Sequence, residues 1–401
     1  MHTREDLKMR QALPLPLKIR MTEERIRQWV HVYGTDGVYI SFSGGKDSTV
    51  LMDIVRNKLG YKDVKAVFVD VPTQYPELRQ FAQTWDNVDI IKPNVSFTQV
   101  CEQYGFPLIS KEVANNVDGA RKYLTKVTKS ESILTDRQTD RQTDRQTDRQ
   151  TEGQTFRMPQ TTEEYTELVN MLNRDWGKVK GSPQRVAIML GVRAKYGRAS
   201  FPNKERSRYS MERYSFFLQA PFSISDKCCG IMKKAPLHAY QREHHMVPIT
   251  AQMAEESMLR TQKWLQHGCN AFDNKNPISN PMSFWTEQDV LQYIYENDLP
   301  ICSVYGDVVK DDEIDGQMDL GDFIEGVDMQ CKYKTTGCKR TGCMMCGFGA
   351  HLEKEGEGRF EMLKKTHPQM YNLLDACKNN GYTLRQAIEW TNEHGGTNIR
   401  L

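Results

Sequence analysis

A glycine-rich hexapeptide is the first candidate for chemistry in this chain: Ser43-Gly44-Gly45-Lys46-Asp47-Ser48. Two adjacent glycines let the backbone turn tightly and present several N–H groups to an anion, and the hydroxyls of Ser43 and Ser48 add further donors. Lys46 supplies a full positive charge. The hexapeptide differs from the common nucleotide loop, in which Ser or Thr follows the lysine, because Asp47 stands there instead. These residue types predict a phosphate-binding loop.

Cysteines in two distant motifs are the second candidate. Cys228 and Cys229 are adjacent and cannot easily pair with each other, whereas Cys338-x4-Cys343-x2-Cys346 lies far along the chain. The Cys-x2-Cys spacing lets two sulfurs converge on one centre. Two metal interpretations follow. A cluster could draw ligands from both motifs, or zinc could bind a Cys3His set completed by His351, which would leave the adjacent pair unexplained.

Strands and helices alternate around the hexapeptide and must position it. Apolar, β-rich runs predict strands over 37–42, 64–69 and 88–91, and helical spacing predicts helices over 49–59, 76–85 and 98–104. Such alternation predicts an α/β fold, doubly wound around a mostly parallel sheet. The hexapeptide then joins the first strand to a helix N-terminus. Asp70 follows the second strand, at the sheet edge where open α/β sheets bind ligands.

Composition divides the chain into four predicted segments. Residues 1–125 form a nucleotide-binding half, 126–215 an inserted segment, 216–330 a second half with the Cys-Cys motif, and 331–401 a cysteine-rich, helical tail. Within the insertion, Thr-Asp-Arg-Gln occurs four times over 135–150. This repeat has no apolar residue to bury, so we predict a solvated and partly disordered loop.

Charge is balanced overall but uneven locally. Lys+Arg minus Asp+Glu is 54 − 52 = +2, whereas residues 178–213 hold ten basic and two acidic residues, a net of +8. With interleaved Tyr196, Phe201 and Tyr209, that segment could bind a nucleic acid; the alternative is a basic surface loop. No apolar run reaches about 18 residues and the start lacks a secretion signal. We therefore expect a cytoplasmic protein without membrane contact, whose ten cysteines are ligands, catalysts or buried thiols.

The hexapeptide resembles the PP-loop signature of the adenine nucleotide alpha-hydrolase superfamily, which includes ATP pyrophosphatases, tRNA thiolases and sulfonucleotide reductases. The resemblance implies a Rossmann-like fold with a C-terminal cysteine-rich helical region. It also implies that the loop grips the phosphates of ATP or the anionic end of a sulfonucleotide. Asp70 and the following Pro72-Thr73-Gln74-Tyr75-Pro76-Glu77 resemble the family segment beside the adenosine. Lys111, which ends Gly105-Phe106-Pro107-Leu108-Ile109-Ser110-Lys111, falls in a segment at the same crevice.

The cysteine pair, followed by Lys-x2-Pro-Leu and a distant Cys-x2-Cys, resembles the iron–sulfur class of adenylylsulfate (APS) and phosphoadenylylsulfate (PAPS) reductases. The resemblance implies a [4Fe–4S] cluster with four ligands: Cys228, Cys229, Cys343 and Cys346. Lys233 falls where that class has a lysine near cluster and substrate. Cys338 is then a functional thiol such as a sulfur carrier, an alternative ligand, or a structural thiol.

Two departures from the reductases direct the functional prediction. Reductases carry a C-terminal Glu-Cys-Gly-Leu-His segment, whereas this chain has no cysteine after Cys377. Reductases also have an anion-binding arginine where this chain has Met253 and Ala254, followed by Glu255 and Glu256, which could hold Mg2+. Both departures favour ATP-dependent adenylyl or sulfur transfer, with four predicted catalytic residues: Lys46, Asp47, Lys233 and Cys338.

Two other functions stay open. One is a sulfonucleotide reductase that takes its thiol from Cys338 or an external reductant. The other is a non-catalytic module that senses nucleotide or redox state. Predicted partners are an adenine nucleotide, a tRNA or DNA acceptor, and a sulfur donor or reductant such as cysteine desulfurase or thioredoxin.

Overall fold

The computed structural model describes residues 2–130, 158–176, 178, 182–195, 198–200, 210–311, 332–356 and 358–401. The chain forms two compact units. The first comprises Met1–Asn94 and Ile231–Cys343, and the second comprises Val95–Gly230 and Met344–Leu401. The Thr-Asp-Arg-Gln repeat, Cys331 and nearly all of the acidic stretch 311–328 lie outside the described residues, as does much of the basic segment 178–213.

The strands and helices are numbered in chain order. The strands are β1 (Val38–Phe42), β2 (Lys65–Val69), β3 (Val88–Ile91), β4 (Leu108–Ile109), β5 (Arg193–Lys195), β6 (Arg198–Ser200), β7 (Val247–Ile249), β8 (Asn270–Ala271), β9 (Ile278–Ser279), β10 (Val308–Lys310), β11 (Tyr333–Thr335), β12 (Gly347–Phe348), β13 (Lys378–Asn379) and β14 (Tyr382–Thr383). The helices are α1 (Arg4–Gln11), α2 (Leu15–Tyr33), α3 (Lys46–Asp53), α4 (Pro76–Gln83), α5 (Phe97–Tyr104), α6 (Lys111–Ser130), α7 (Thr162–Asp175), α8 (Ser182–Met189), α9 (Lys227–Cys229), α10 (Ala235–His244), α11 (Met258–His267), α12 (Glu287–Glu296), α13 (Arg359–Thr366), α14 (Pro368–Asn372) and α15 (Leu384–Gly395).

A six-stranded sheet in the order β3-β2-β1-β7-β9-β8 forms the centre of the first unit. Its strands pair in parallel, except that β8 runs antiparallel to β9. From β1 the chain proceeds to β2 and β3 on one side and later returns to β7 on the other. The strand order therefore reverses between β1 and β7, which is the place where open α/β sheets bind ligands. The predicted doubly wound α/β fold is confirmed.

Buried polar contacts fix the start of α12 in the first unit. Lys18 on α2 donates to both carboxylate oxygens of Asp289, at 2.7 and 2.6 Å, and this ion pair is almost fully buried. The same carboxylate accepts the Thr286 N–H at 2.6 Å, so it also caps the helix. Trp285 is fully buried and donates its indole N–H to Thr22 at 2.8 Å. These contacts hold the first residue of α12, Glu287, in a defined place.

The second unit is mostly helical. The helix α6 packs on α8, and two short strands, β4 and β12, pair in parallel. Among the described residues of the whole chain, no helix is both long enough and apolar enough to cross a membrane.

Candidate functional site

The hexapeptide 43–48 forms a tight loop between β1 and α3 that its own side chains organise. Gly44 has a φ of +71°, and a Cβ there would lie 3.0 Å from the carbonyl oxygen of Leu78. Both facts favour glycine at this position. The hydroxyls of Ser43 and Ser48 lie 3.0 Å apart, and that of Ser48 also donates to the Gly45 carbonyl at 2.9 Å. Hydrogen bonds and close contacts within the protein therefore hold the loop in its shape.

Lys46 begins α3 and is 3% exposed. Its Nζ lies 3.1 Å from Oδ1 of Asp47 and 3.2 Å from Oε1 of Glu287. Burial alone would lower the pKa of Lys46, but the two carboxylates outweigh it and hold that pKa above its usual value. The lysine is therefore charged, and its charge is balanced by carboxylates of the protein.

More charged groups surround this pair. Glu255 accepts the backbone N–H of Glu287 at 2.6 Å. Burial and the negative charges of Glu287 and Asp289 raise the pKa of Glu255. Arg260, in the first turn of α11, pairs with Glu256, and Arg340 Nη2 lies 3.9 Å from Oε2 of Glu287. Arginine and carboxylate side chains thus surround the ion pairs of Lys46.

A buried tyrosine also touches the loop. The hydroxyl of Tyr305 accepts the backbone N–H of Lys46 at 3.3 Å and lies 2.7 Å from the hydroxyl of Thr341. Tyr305 is 2% exposed, and burial raises the pKa of its phenol. The phenol is therefore neutral and can both donate and accept a hydrogen bond.

The segment that follows β2 lies in the same unit as the loop. Asp70 is 3.5 Å from Arg79 and 3.9 Å from Lys92, so it has cationic partners within the protein. Thr73 is 3% exposed, and its hydroxyl has no hydrogen-bond partner among the described residues. The hydroxyl of Tyr75 lies 3.9 Å from Sγ of Cys338. The structure therefore places Cys338 beside the segment that the family resemblance assigns to the adenosine.

The other predicted site residues are divided between the units. Lys233, half-buried, and Cys343 belong to the first unit, whereas Lys111, exposed at the start of α6, belongs to the second. The second unit also holds Cys228 and Cys229, both on α9, together with Cys346.

We tested whether a metal fits these residues. Within the described part of the chain, no three or more His, Cys, Asp or Glu side chains are arranged to hold a metal ion. Of the alternative zinc set, Cys338 and Cys343 belong to the first unit, Cys346 and His351 to the second. The Nε2 of His351 lies 3.4 Å from the Tyr214 hydroxyl, and burial and the charge of Arg213 lower the pKa of this histidine. The described residues thus do not present a formed metal centre, and no chemical step is derived through one.

Sequence reasoning missed five residues around the loop: Arg260, Glu287, Tyr305, Arg340 and Thr341. Glu287 looked like an ordinary first-turn acid of α12. Arg340 and Thr341 lie between Cys338 and Cys343, where the cysteines are the evident signal. Nothing in their spacing connects them with a loop more than two hundred residues earlier.

Comparison with known proteins identifies the family of this chain. The family model described as "Phosphoadenosine phosphosulfate reductase domain" matches residues 37–171 and 183–347, which include β1, the phosphate loop, both cysteine motifs and the Tyr305 region. No protein of curated function matches the chain. A similar solved structure is that of phosphoadenylyl-sulfate (PAPS) reductase from Candida auris in a phosphate complex, at 12% identity and a TM-score of 0.30, covering 76% of this chain and 91% of that one. The family match covers well over half of the chain and includes the loop. The chain therefore belongs to the phosphoadenosine phosphosulfate reductase family.

Proposed function

We propose that this protein binds an adenine nucleotide at residues 43–48 and uses ATP with Mg2+ for adenylyl or sulfur transfer. The supporting observation is the pair of carboxylates, Asp47 and Glu287, that lie 3.1 and 3.2 Å from the Nζ of Lys46. A metal-free sulfonucleotide would bring its sulfate close to Asp47 and Glu287, which repel it. A polyphosphate that carries Mg2+ can instead share the metal with one or two carboxylates, which is how Mg2+ commonly binds in nucleotide sites.

The proposed reaction has two stages. The loop N–H groups and Lys46 bind the β- and γ-phosphates and stabilise the charge that develops on pyrophosphate as it leaves. An acceptor oxygen attacks the α-phosphorus, so that the acceptor becomes adenylylated. A cysteine persulfide, charged by an external sulfur donor, then displaces AMP through its outer sulfur and forms a disulfide with the acceptor. A thiol of an external reductant attacks the cysteine sulfur and cleaves that S–S bond, so the outer sulfur stays on the acceptor. Bound Mg2+ supplies charge neutralisation for the phosphates, while the protein positions the reacting groups.

Cys338 is the proposed sulfur-bearing residue in that scheme. It is partly exposed, and its thiol lies 3.9 Å from the Tyr75 hydroxyl, within the unit that holds the phosphate loop. The same position favours the second candidate function. As a nucleophile, the Cys338 thiolate could attack the sulfur of a sulfonucleotide, expelling the nucleotide phosphate and forming a thiosulfonate. An external dithiol, thioredoxin for example, would then release sulfite.

A [4Fe–4S] cluster on Cys228, Cys229, Cys343 and Cys346 remains part of the proposal as a bound group without an assigned step. Lys233 would lie near that cluster and Lys111 near the nucleotide. A tRNA or DNA acceptor and a cysteine desulfurase as sulfur donor are likewise proposed on the family resemblance. The cytoplasmic location stays a prediction from the sequence.

Calorimetry on anaerobically purified protein tests the nucleotide assignment. ATP is titrated with and without Mg2+, and APS and PAPS are titrated in parallel. We expect Mg2+-dependent ATP binding to be the tightest, with pyrophosphate released when acceptor is present. A preference for APS or PAPS, with sulfite released, would instead establish the reductase. Tight binding of any of the three without either product would support the sensing module.

A further inference from the structure

The hydroxyl of Tyr305 stands where the phosphate loop would receive an anion. The first N–H groups of an α-helix have no acceptor within the helix, and in anion sites they bind phosphate oxygens. The N–H of Lys46 is such a group, because Lys46 is the first residue of α3. Its acceptor is the Tyr305 hydroxyl, at 3.3 Å. Close approach is possible because Gly45 has no side chain: a Cβ there would lie 3.2 Å from that hydroxyl.

Tyr305 is joined at its other side to residues 336–341, which we call the Cys338 segment. The hydroxyl of Thr341 lies 2.7 Å from that of Tyr305. The backbone N–H of Gly337 donates to the Tyr305 carbonyl at 2.8 Å, and that of Cys338 donates to the Val304 carbonyl, also at 2.8 Å. One residue therefore bonds both to the anion-binding N–H of the loop and to the segment that carries a partly exposed thiol.

We propose that a phosphate oxygen of the bound nucleotide replaces the Tyr305 hydroxyl as the hydrogen-bond acceptor of the Lys46 N–H. The released tyrosine and the Cys338 segment then shift together. A single N–H cannot serve both acceptors at full strength, and a charged phosphate oxygen is the stronger acceptor. The displaced hydroxyl keeps Thr341 as a partner, so only one of its two hydrogen bonds is broken. Nucleotide binding would then change the surroundings of the Cys338 thiol, which lies 3.9 Å from the Tyr75 hydroxyl. The proposal rests on the proposed function only in that an adenine nucleotide binds at the loop.

The test compares Tyr305→Phe with Tyr295→Phe, which alters an exposed tyrosine of the same unit. Two quantities are measured: the Kd for Mg2+–ATP and for APS by calorimetry, and the rate at which iodoacetamide alkylates Cys338, by peptide mass spectrometry. Tyr305→Phe should bind nucleotide roughly fivefold more tightly, because no hydrogen bond has to be broken first. In the wild type, nucleotide should change the alkylation rate several-fold; in Tyr305→Phe that rate should no longer respond. Tyr295→Phe should match the wild type in both measurements.

Two results would overturn the proposal. Weaker nucleotide binding by Tyr305→Phe would mean that the hydroxyl contacts the bound nucleotide instead of being displaced by it. If the alkylation rate of Cys338 in the wild type is the same with and without nucleotide, the Cys338 segment does not move on binding. If Tyr305→Phe fails to fold, Thr341→Val replaces it, since the near-isosteric change removes only the hydroxyl contact. It should raise Cys338 alkylation in the free protein, and an unchanged rate would again oppose the proposal.

The outcome for Tyr305 can be separated from the outcome for the proposed function. If the protein prefers APS to ATP, the transferase is excluded while the role of Tyr305 is tested with APS. If ATP binds best but Tyr305→Phe weakens it, the role of Tyr305 is excluded while the transferase stands.

Discussion

The phosphate loop and the cysteine pair are both short, contiguous motifs, but they depend on different parts of the molecule. The loop is shaped by hydrogen bonds among its own six residues and joins a neighbouring strand to a neighbouring helix. The predicted cluster would need ligands from 343–346 in addition to the cysteine pair, and the four predicted cysteines are divided between the two units. A motif whose neighbours in sequence are also its neighbours in space can be read locally, whereas a ligand set assembled from distant stretches cannot.

The two regions also differ in their electrostatic surroundings. The charge of the loop lysine is balanced by Asp47, which is its neighbour in sequence, and by Glu287, which is not. Around the cysteines, the described residues present no three-ligand metal arrangement. The loop is therefore the better defined of the two sites, and the following experiments are designed to challenge that difference.

The largest expected effect is on iron in the cysteine region. Cys229→Ser should abolish iron binding and lower stability, because metal binding to a thiolate set is coupled to folding. Iron per chain is measured on anaerobically purified protein, with Cys338→Ser as the control that should keep its iron. If Cys229→Ser keeps all its iron and Cys338→Ser loses it, the metal is bound instead by the alternative ligand set that contains Cys338 and His351.

Next in size is the effect of Lys46→Met on nucleotide affinity. The change keeps the aliphatic stem and removes the charge, so nucleotide binding should weaken by about 10- to 100-fold, as expected for a charged hydrogen bond. Calorimetric Kd values are compared with those of Lys62→Met, which alters an exposed lysine of the same unit. Equal nucleotide affinities in the two variants would show that the loop is not part of the nucleotide-binding site.

A smaller effect is expected for Glu287→Gln. Because this carboxylate is about a third exposed and pairs with Lys46, its loss should strengthen Mg2+-free ATP binding by about fivefold, and should also reduce the benefit of added Mg2+. The matched control is Glu296→Gln at the other end of α12. If Mg2+ dependence is unaltered in Glu287→Gln, then Glu287 has no part in setting the nucleotide preference.

The smallest effect concerns pH and Glu255. Its pKa is raised by burial and by the charges of Glu287 and Asp289, so this carboxyl group gains its proton at a higher pH than an ordinary glutamate. As pH falls through that raised pKa, one negative charge near the loop is lost. Mg2+-free ATP should then bind about twofold more tightly. This dependence of ATP affinity on pH should disappear in Glu255→Gln. If the affinity still changes with pH in that variant, another group is responsible for the titration.

The family resemblance and the α/β fold could be predicted because their signals are local. The alternation of apolar strands with helical spacing gave β1, β2 and β3 within a residue of their observed bounds. Asp70 was expected at the adenosine, and the structure adds that Arg79 and Lys92 already neutralise it.

The sequence alone determined the loop as an anion-binding turn, since two glycines, a lysine and two hydroxyls stand within six residues between a predicted strand and a predicted helix. Tertiary structure alone decided what surrounds that loop. Glu287 reaches Lys46 because a buried Lys18–Asp289 ion pair fixes the start of α12. Tyr305 reaches the Lys46 N–H because the short helix Ser303–Tyr305 packs against α4. Such contacts join residues far apart in the chain, and they arise from packing around a shared core, which spacing along the sequence does not encode.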